Sequence, residues 1–216
     1  MNSVLAIAAK DIRCELRTRH AVGSILLFAV TSTVAVSFAL GAWGSRAEIA
    51  ASLLWVVIYF SAMTGLSRSF VREEESQTAP ALKLAACPNA VYLGKLLFNI
   101  AILLAVELVT VPVFVLLTGC AVRSWGTLVA VLIVGSLGLS IGATTAAAMV
   151  AKALSKGALY AVISFPLLLP VLAVAIHGTT AAMAGEAAAS DIRLLVYYCG
   201  AVITASLMLF RFIWED

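Results

Sequence analysis

LLFNIAILLAVELVTVPVFVLLT, residues 96–118, carries a single ionisable side chain, Glu107. An α-helix rises about 1.5 Å per residue, and about 20 mostly apolar residues cross the hydrocarbon core of a bilayer. Five more stretches, roughly 21–42, 49–67, 125–150, 157–177 and 193–213, are of similar length and essentially free of charge. Hydrophobic residues make up 63% of the 216 and charged residues 12%, and the mean hydropathy is +1.09. One soluble core of this size cannot hide that much apolar surface, so lipid is the solvent. Backbone polar groups in lipid must be satisfied within helices or a closed barrel, and the alternating runs of a barrel are absent. The predicted fold is all-α and integral to the membrane. Residues 1–216 form one domain, with an amphipathic surface helix over 1–20 followed by six transmembrane helices.

Lys10, Asp11, Arg13, Glu15, Arg17 and Arg19 interrupt any apolar signal-peptide core near the N-terminus. Helical projection puts Leu5, Ala8, Ala9, Ile12 and Leu16 on one side, with Lys10, Asp11, Cys14, Arg17 and Thr18 largely opposite. That pattern predicts a helix lying on the membrane surface, capped by Asn2 or Ser3. Lysine and arginine set orientation. Lys10, Arg13, Arg17, Arg19, Arg68, Arg72, Lys83, Lys95, Lys152, Lys156 and Arg211 fall on one side, and only Arg46, Arg123 and Arg193 on the other. Both termini are therefore expected in the cytoplasm. The four cysteines, Cys14, Cys87, Cys120 and Cys199, have neither zinc nor redox spacing and read as small apolar fillers.

Enzyme signatures are missing. There is no phosphate-binding G-x-x-x-x-G-K-[ST] loop, no H-E-x-x-H and no G-x-S-x-G. An enzyme acting alone is not expected, no metal site is expected, and energy for any transport must come from a partner. The cytoplasmic connection 68–95 is the longest. Arg72, Glu73, Glu74 and Glu75 are followed by Leu82, Leu84 and Ala85, and Pro88 is expected to end the segment. A short helix with an acidic N-terminal end fits this pattern, either to dock in a partner's groove or as a solvated charge run.

Inside the spans, Glu107 should face the bundle, because a charge at the bilayer centre costs about 2.5–3.5 kcal/mol. A neutral acid bonded to a neighbouring helix is the favoured reading. Gly138 and Gly142 fall on one face of the fourth span and permit close helix approach, within the chain or between subunits. Pro166 and Pro170 mark the fifth span as a kinked wall or hinge. His177, near its outer end, reads as a hydrogen-bonding anchor more readily than as a haem ligand, and His20 carries the same reading. Trp43, Trp125, Tyr197, Tyr198 and Trp214 fall near span ends as an interfacial belt.

Several segments in order carry a family resemblance. A basic amphipathic N-terminus precedes Leu54–Val57, Leu66-Ser-Arg-Ser-Phe70 and the acidic loop. Leu82, Pro88 and Gly94–Lys95 follow, then the Gly/Ser-rich fourth span, the Lys152–Gly157 turn and Ser164-Phe-Pro-Leu-Leu-Leu-Pro170. The chain resembles the CcmB family, the permease subunit of the haem exporter in cytochrome c maturation. The resemblance implies an ABC-transporter permease of the bacterial inner membrane, working as a homodimer with two ATP-hydrolysing subunits. It implies haem-handling membrane proteins as further partners, haem as a possible substrate, no cofactor of its own, and no nucleic acid. The loop at about Arg72–Leu84 would be the coupling helix gripped by the ATPase, which drives haem delivery or release of a haem chaperone. Family members carry glycine near the position of Gln77, where this chain differs. A permease for a lipid or other apolar substrate, a non-transporting assembly factor, and a haem-binding electron carrier using His20 and His177 are the rival readings.

Overall fold

The computed structural model describes residues 3–18, 20–41, 46–75, 77–151 and 156–215. Among them the chain is helical, with no strand. In chain order the helices are α1 (Ser3–Thr18), α2 (His20–Gly41), α3 (Ala47–Leu66), α4 (Arg68–Glu75), α5 (Ala79–Ala85), α6 (Pro88–Thr118), α7 (Trp125–Val150), α8 (Lys156–Ala184) and α9 (Ala189–Glu215). Six are long and apolar enough to cross a membrane: Val22–Leu40, Ala47–Val71, Pro88–Thr118, Trp125–Val150, Gly157–Ala184 and Ala189–Trp214. The surface helix and six spans read from the sequence are all present.

Helix boundaries follow local chemistry. Pro88 ends the connecting segment as expected, and does so as the first residue of α6, with Cys87 extended before it. Proline costs nothing at a helix's first position, where its missing N–H would have no partner. The third span therefore starts eight residues before the expected 96, and Lys95 lies inside a helix. At the far end Gly119 takes a left-handed φ of 65° and its N–H bonds to the Val115 carbonyl, an αL stop. The fifth span also runs further than expected, through Pro166 and Pro170 to Ala184 without a break in the helix.

α7 is the central helix, packed against α8, α9, α6, α3 and α4. Its small residues give neighbouring helices room. A side chain at Gly135 would collide with the Trp55 ring, one at Gly142 with Leu168, and one at Gly138 would press on Val171 and Cys199. Gly138 and Gly142 thus face α8 and α9 within this chain. Trp55 is fully buried and its indole donates to Thr179 Oγ1 at 2.8 Å, tying α3 to α8. Of the cysteines, Cys120 and Cys199 are buried fillers, while Cys14 and Cys87 are exposed.

The N-terminal helix differs from its projection. Ile7, Ala8, Asp11 and Glu15 are its buried residues, whereas Leu5, Ile12 and Leu16 are exposed. Of the expected polar face Asp11 is thus buried in protein, as is Glu15 beside it, and Leu5, Ile12 and Leu16 of the apolar stripe are left exposed. α1 lies along α6, and Gly94 permits this: a Cβ there would come within 2.8 Å of Ile7. Glu15 Oε1 accepts a hydrogen bond from the Val22 N–H at 2.9 Å, satisfying a free donor at the start of α2. Trp214 is a second correction. It is buried, stacked on Phe210 at 5.4 Å and edge-on to Phe70 at 6.2 Å, and so does not belong to an interfacial belt. Trp125 and Tyr197 are exposed, and Trp43 lies outside the described residues.

Candidate functional site

The acidic connection folds as two short helices and not one. The glutamates close α4, at its C-terminal end, where the helix dipole does not favour them. Cations compensate. Glu73 Oε1 accepts from Lys10 Nζ at 2.6 Å and from Lys95 Nζ at 2.7 Å, and Glu73 Oε2 accepts from Thr78 Oγ1 at 2.5 Å. Asp11 Oδ1 lies 3.3 Å from Lys10 Nζ, and Asp11 Oδ2 lies 2.9 Å from Lys95 Nζ, a charge contact too poorly aligned for a hydrogen bond. Two lysines and two carboxylates therefore form a charge-balanced joint between α1, α4 and α6. Lys95, Asp11 and Glu73 are buried, and Lys10 is half-exposed.

Burial opposes the charge of Glu73. The hydrogen bonds from Lys10, Lys95 and Thr78 outweigh it and hold the carboxyl well below the usual range, at about 2. Burial likewise opposes the Lys10 ammonium, but Glu73 and Asp11 raise its pKa above the ordinary value. Charge-assisted hydrogen bonds of this kind are short and directional, so the three helices are registered against one another.

The turn between α4 and α5 completes the joint. Gln77 takes a φ of 55°, in the left-handed region that favours glycine. The reversal there brings Thr78 back onto α4, where its N–H donates to the Glu73 carbonyl at 3.0 Å. Its hydroxyl goes to the Glu73 carboxylate and makes no cap hydrogen bond to α5. α5 then projects. Leu84 is 92% exposed, Lys83 and Ala85 are exposed, and Leu82 is partly buried against the aromatic cluster. Lys83 Nζ lies 5.7 Å above the Trp214 ring. Phe70, buried against Phe210 and Trp214, anchors α4 to α9. A cleft of about 470 Å³ opens between α1 and α4–α5, lined by Lys10, Cys14, Glu73 and Leu82 among others.

Of the residues expected in a coupling segment, Glu73 is a buried internal partner, Glu75 is exposed, and Leu82 and Leu84 are split between packing and exposure. The side chains of Arg72 and Glu74 lie outside the described residues. Lys10, Asp11, Thr78 and Lys95 were not among the site residues read from the sequence. A signal existed: Pro88 at a helix start puts Lys95 two turns inside an apolar helix, where an ammonium requires an acid, and the nearest acidic cluster is Glu73–Glu75.

Deeper in the bundle, uncharged pairs replace ion pairs. Glu107 is buried and accepts a hydrogen bond from Ser136 of α7. Asn99 Nδ2 donates to Thr144 Oγ1 at 2.8 Å, and the Tyr92 hydroxyl lies 3.0 Å from Thr145 Oγ1. Among the described residues no group of three or more His, Cys, Asp and Glu side chains could hold a metal ion.

Six helices long enough and apolar enough to cross a membrane, with α1 and α4 tied to α6 by ion pairs, define a polytopic membrane protein. Residues 2–214 match the family model described as CcmB protein, so the chain belongs to the CcmB family. It is 30% identical over 210 residues to "Heme exporter protein B" of Paracoccus denitrificans (strain Pd 1222), covering 96% of this chain and 94% of that one.

Proposed function

We propose that this chain is the permease subunit of an ABC-type haem exporter of the bacterial inner membrane, serving c-type cytochrome assembly with both termini cytoplasmic. The observation that carries the reading is the joint of Lys10, Asp11, Glu73 and Lys95, with α5 and its exposed Leu84 projecting beside it. An ATP-hydrolysing partner that grips α5 moves α4, and the joint passes that movement to α1 and α6 together. The rest of the path is packing: α4 also bears on α7 and, through Phe70, on α9. Bistable elements of this kind turn a small displacement into a rearrangement of spans. Haem as cargo is supported by the name of the Paracoccus relative. Two copies with two ATPases, beside membrane proteins that handle haem, make up the assembly.

The test is affinity purification of the chain from its native membrane, with identification of what accompanies it, beside a deletion strain scored for c-type cytochromes. An ATPase with a phosphate-binding loop, haem-handling proteins and a loss of c-type cytochromes are expected. An ATPase whose turnover responds to lipid, in a strain with normal c-type cytochromes, would establish the rival reading of a permease for another apolar substrate. Absence of any ATPase would overturn the coupling role.

A further inference from the structure

His177 sits on α8, and Ala184 ends that helix seven residues further on, about 10 Å along the axis. It therefore lies near the membrane boundary at the end opposite α1. Its Nδ1 is 3.0 Å from Asp191 Oδ2, and its side chain is 76% exposed while that of Asp191 is 14% exposed. Asp191 occupies the first turn of α9, where the helix dipole favours an anion. A ring nitrogen that close to a carboxylate carries the proton, so in the neutral ring Nε2 holds the free lone pair. This is the arrangement by which proteins prepare a histidine to bind a metal: the carboxylate fixes the ring's orientation and its tautomer. Gly178 helps hold it together, since a Cβ there would come within 3.0 Å of Val131 and 3.3 Å of Asp191.

The surface leading to His177 is apolar. Val162, Pro166, Pro170 and Ala173 are exposed and share its face of α8, at the spacing of successive helical turns. Pro170 and Ala173, two turns and one turn before His177 on that face, are exposed and carry no polar side chain of their own. A bare metal ion would meet one nitrogen there and no further ligands. An iron porphyrin brings four of its own, needs one axial ligand, and has a broad apolar edge to bury.

We propose that His177 is an axial ligand for haem iron, with Asp191 as its positioning residue and the Pro170–Ala173 face receiving the macrocycle. Nε2 forms the bond to iron and displaces a water or other weak ligand; the Nδ1 proton stays on the Asp191 side, and no electron is transferred. The inference rests on haem being the cargo and assigns the place where this chain touches it, at the exit end.

The full chain in lipid nanodiscs is titrated with ferric haem, then reduced, and followed by absorption and by the iron–histidine stretch in resonance Raman spectra. Wild type is expected to show histidine ligation, and His177→Ala to lose it with affinity lower by about tenfold or more. His177→Gly should recover ligation on addition of imidazole, which shows that the variant is folded. Asp191→Asn should shift the stretch to lower frequency while haem still binds, an effect that a merely structural role would not produce. His20→Ala should leave the spectrum unchanged. Unaltered ligation in His177→Ala, or haem adsorbed to wild type without any iron–histidine stretch, overturns the proposal. In cells the two levels separate. Loss of c-type cytochromes on deletion, combined with unaltered ligation in His177→Ala, defeats this inference alone. Normal c-type cytochromes on deletion defeat the haem reading and this inference with it.

Discussion

Glu73 and Glu107 are both buried carboxyl side chains, yet their surroundings are opposite. Glu73 meets two ammonium groups and a hydroxyl contributed by three segments of the chain. Glu107 meets the single hydroxyl of Ser136. The first arrangement requires a charge, and removing Lys95 leaves Glu73 and Asp11 with only the half-exposed Lys10 as cation. The second requires none, because a neutral acid makes the same contact. Charge is thus concentrated where α1, α4 and α6 are joined by ion pairs, and a single neutral hydrogen bond suffices where spans pack.

Lys95→Met attacks the comparison at its strongest point. It strips the buried cation from Glu73 and Asp11 and leaves only half-exposed Lys10, so a loss of about 3–5 kcal/mol is expected in unfolding measured in detergent. Lys10→Met, at the solvent edge, should cost about 1 kcal/mol or less. Equal effects of the two substitutions would mean that burial does not govern the joint.

Acid gives the next largest effect. The carboxyl of Glu73 lies near 2 when folded, against an ordinary 4.5. A depressed folded pKa contributes stability that is present above about 4.5 and is lost as pH falls toward 2. Lys10 is raised above 10.5, so its contribution is present below that value and is lost as pH rises through its folded pKa. The joint should therefore be fully formed across the intervening range, and Glu73→Gln should remove the part of the acid limb between 4.5 and 2. An unchanged acid limb in the variant would show that Glu73 is not held as drawn.

Glu107→Gln keeps a group able to accept the Ser136 hydrogen bond and removes only the capacity for charge. A change below about 1 kcal/mol is expected, with c-type cytochrome assembly intact, whereas Glu107→Ala leaves Ser136 unsatisfied and should cost about 1–3 kcal/mol. Loss of assembly in Glu107→Gln with normal folding would give Glu107 a functional charge and dissolve the contrast with Glu73.

The sequence carried one side of this contrast better than the other. Spans and their number were legible because hydropathy acts over some 20 residues at once. Glu107 was legible as a lone acid for the same reason. The joint was not, because its members are far apart in the chain: Lys10 and Glu73 are separated by 63 positions. Amphipathic projection misplaced Asp11, which looks solvent-facing until Lys95 is brought to it, and gave no sign that Glu15 meets the Val22 N–H. Trp214 misled similarly, a terminal aromatic that reads as a lipid anchor until Phe70 and Phe210 enclose it.

The smallest expected effect concerns the turn that closes the joint. Gln77 holds a φ of 55°, a conformation that costs a residue with a Cβ about 1–2 kcal/mol. The family resemblance puts a glycine near this place, and the backbone supplies the reason. Gln77→Gly relieves the local cost but adds freedom to the unfolded chain, so a net gain of up to about 1 kcal/mol is expected. Gln77→Val, β-branched and poorly tolerated at positive φ, should act in the opposite direction and loosen Thr78 from Glu73. The pair is read by thermal unfolding at pH 7 and again at pH 3, where Glu73 is still largely charged. If the turn positions the joint, Gln77→Val should unfold at a higher pH than wild type on acidification, because a carboxylate that loses Thr78 loses part of what holds its pKa down. If acid sensitivity is the same in both variants, the turn serves only α5, and Lys10 and Lys95 hold Glu73 without it.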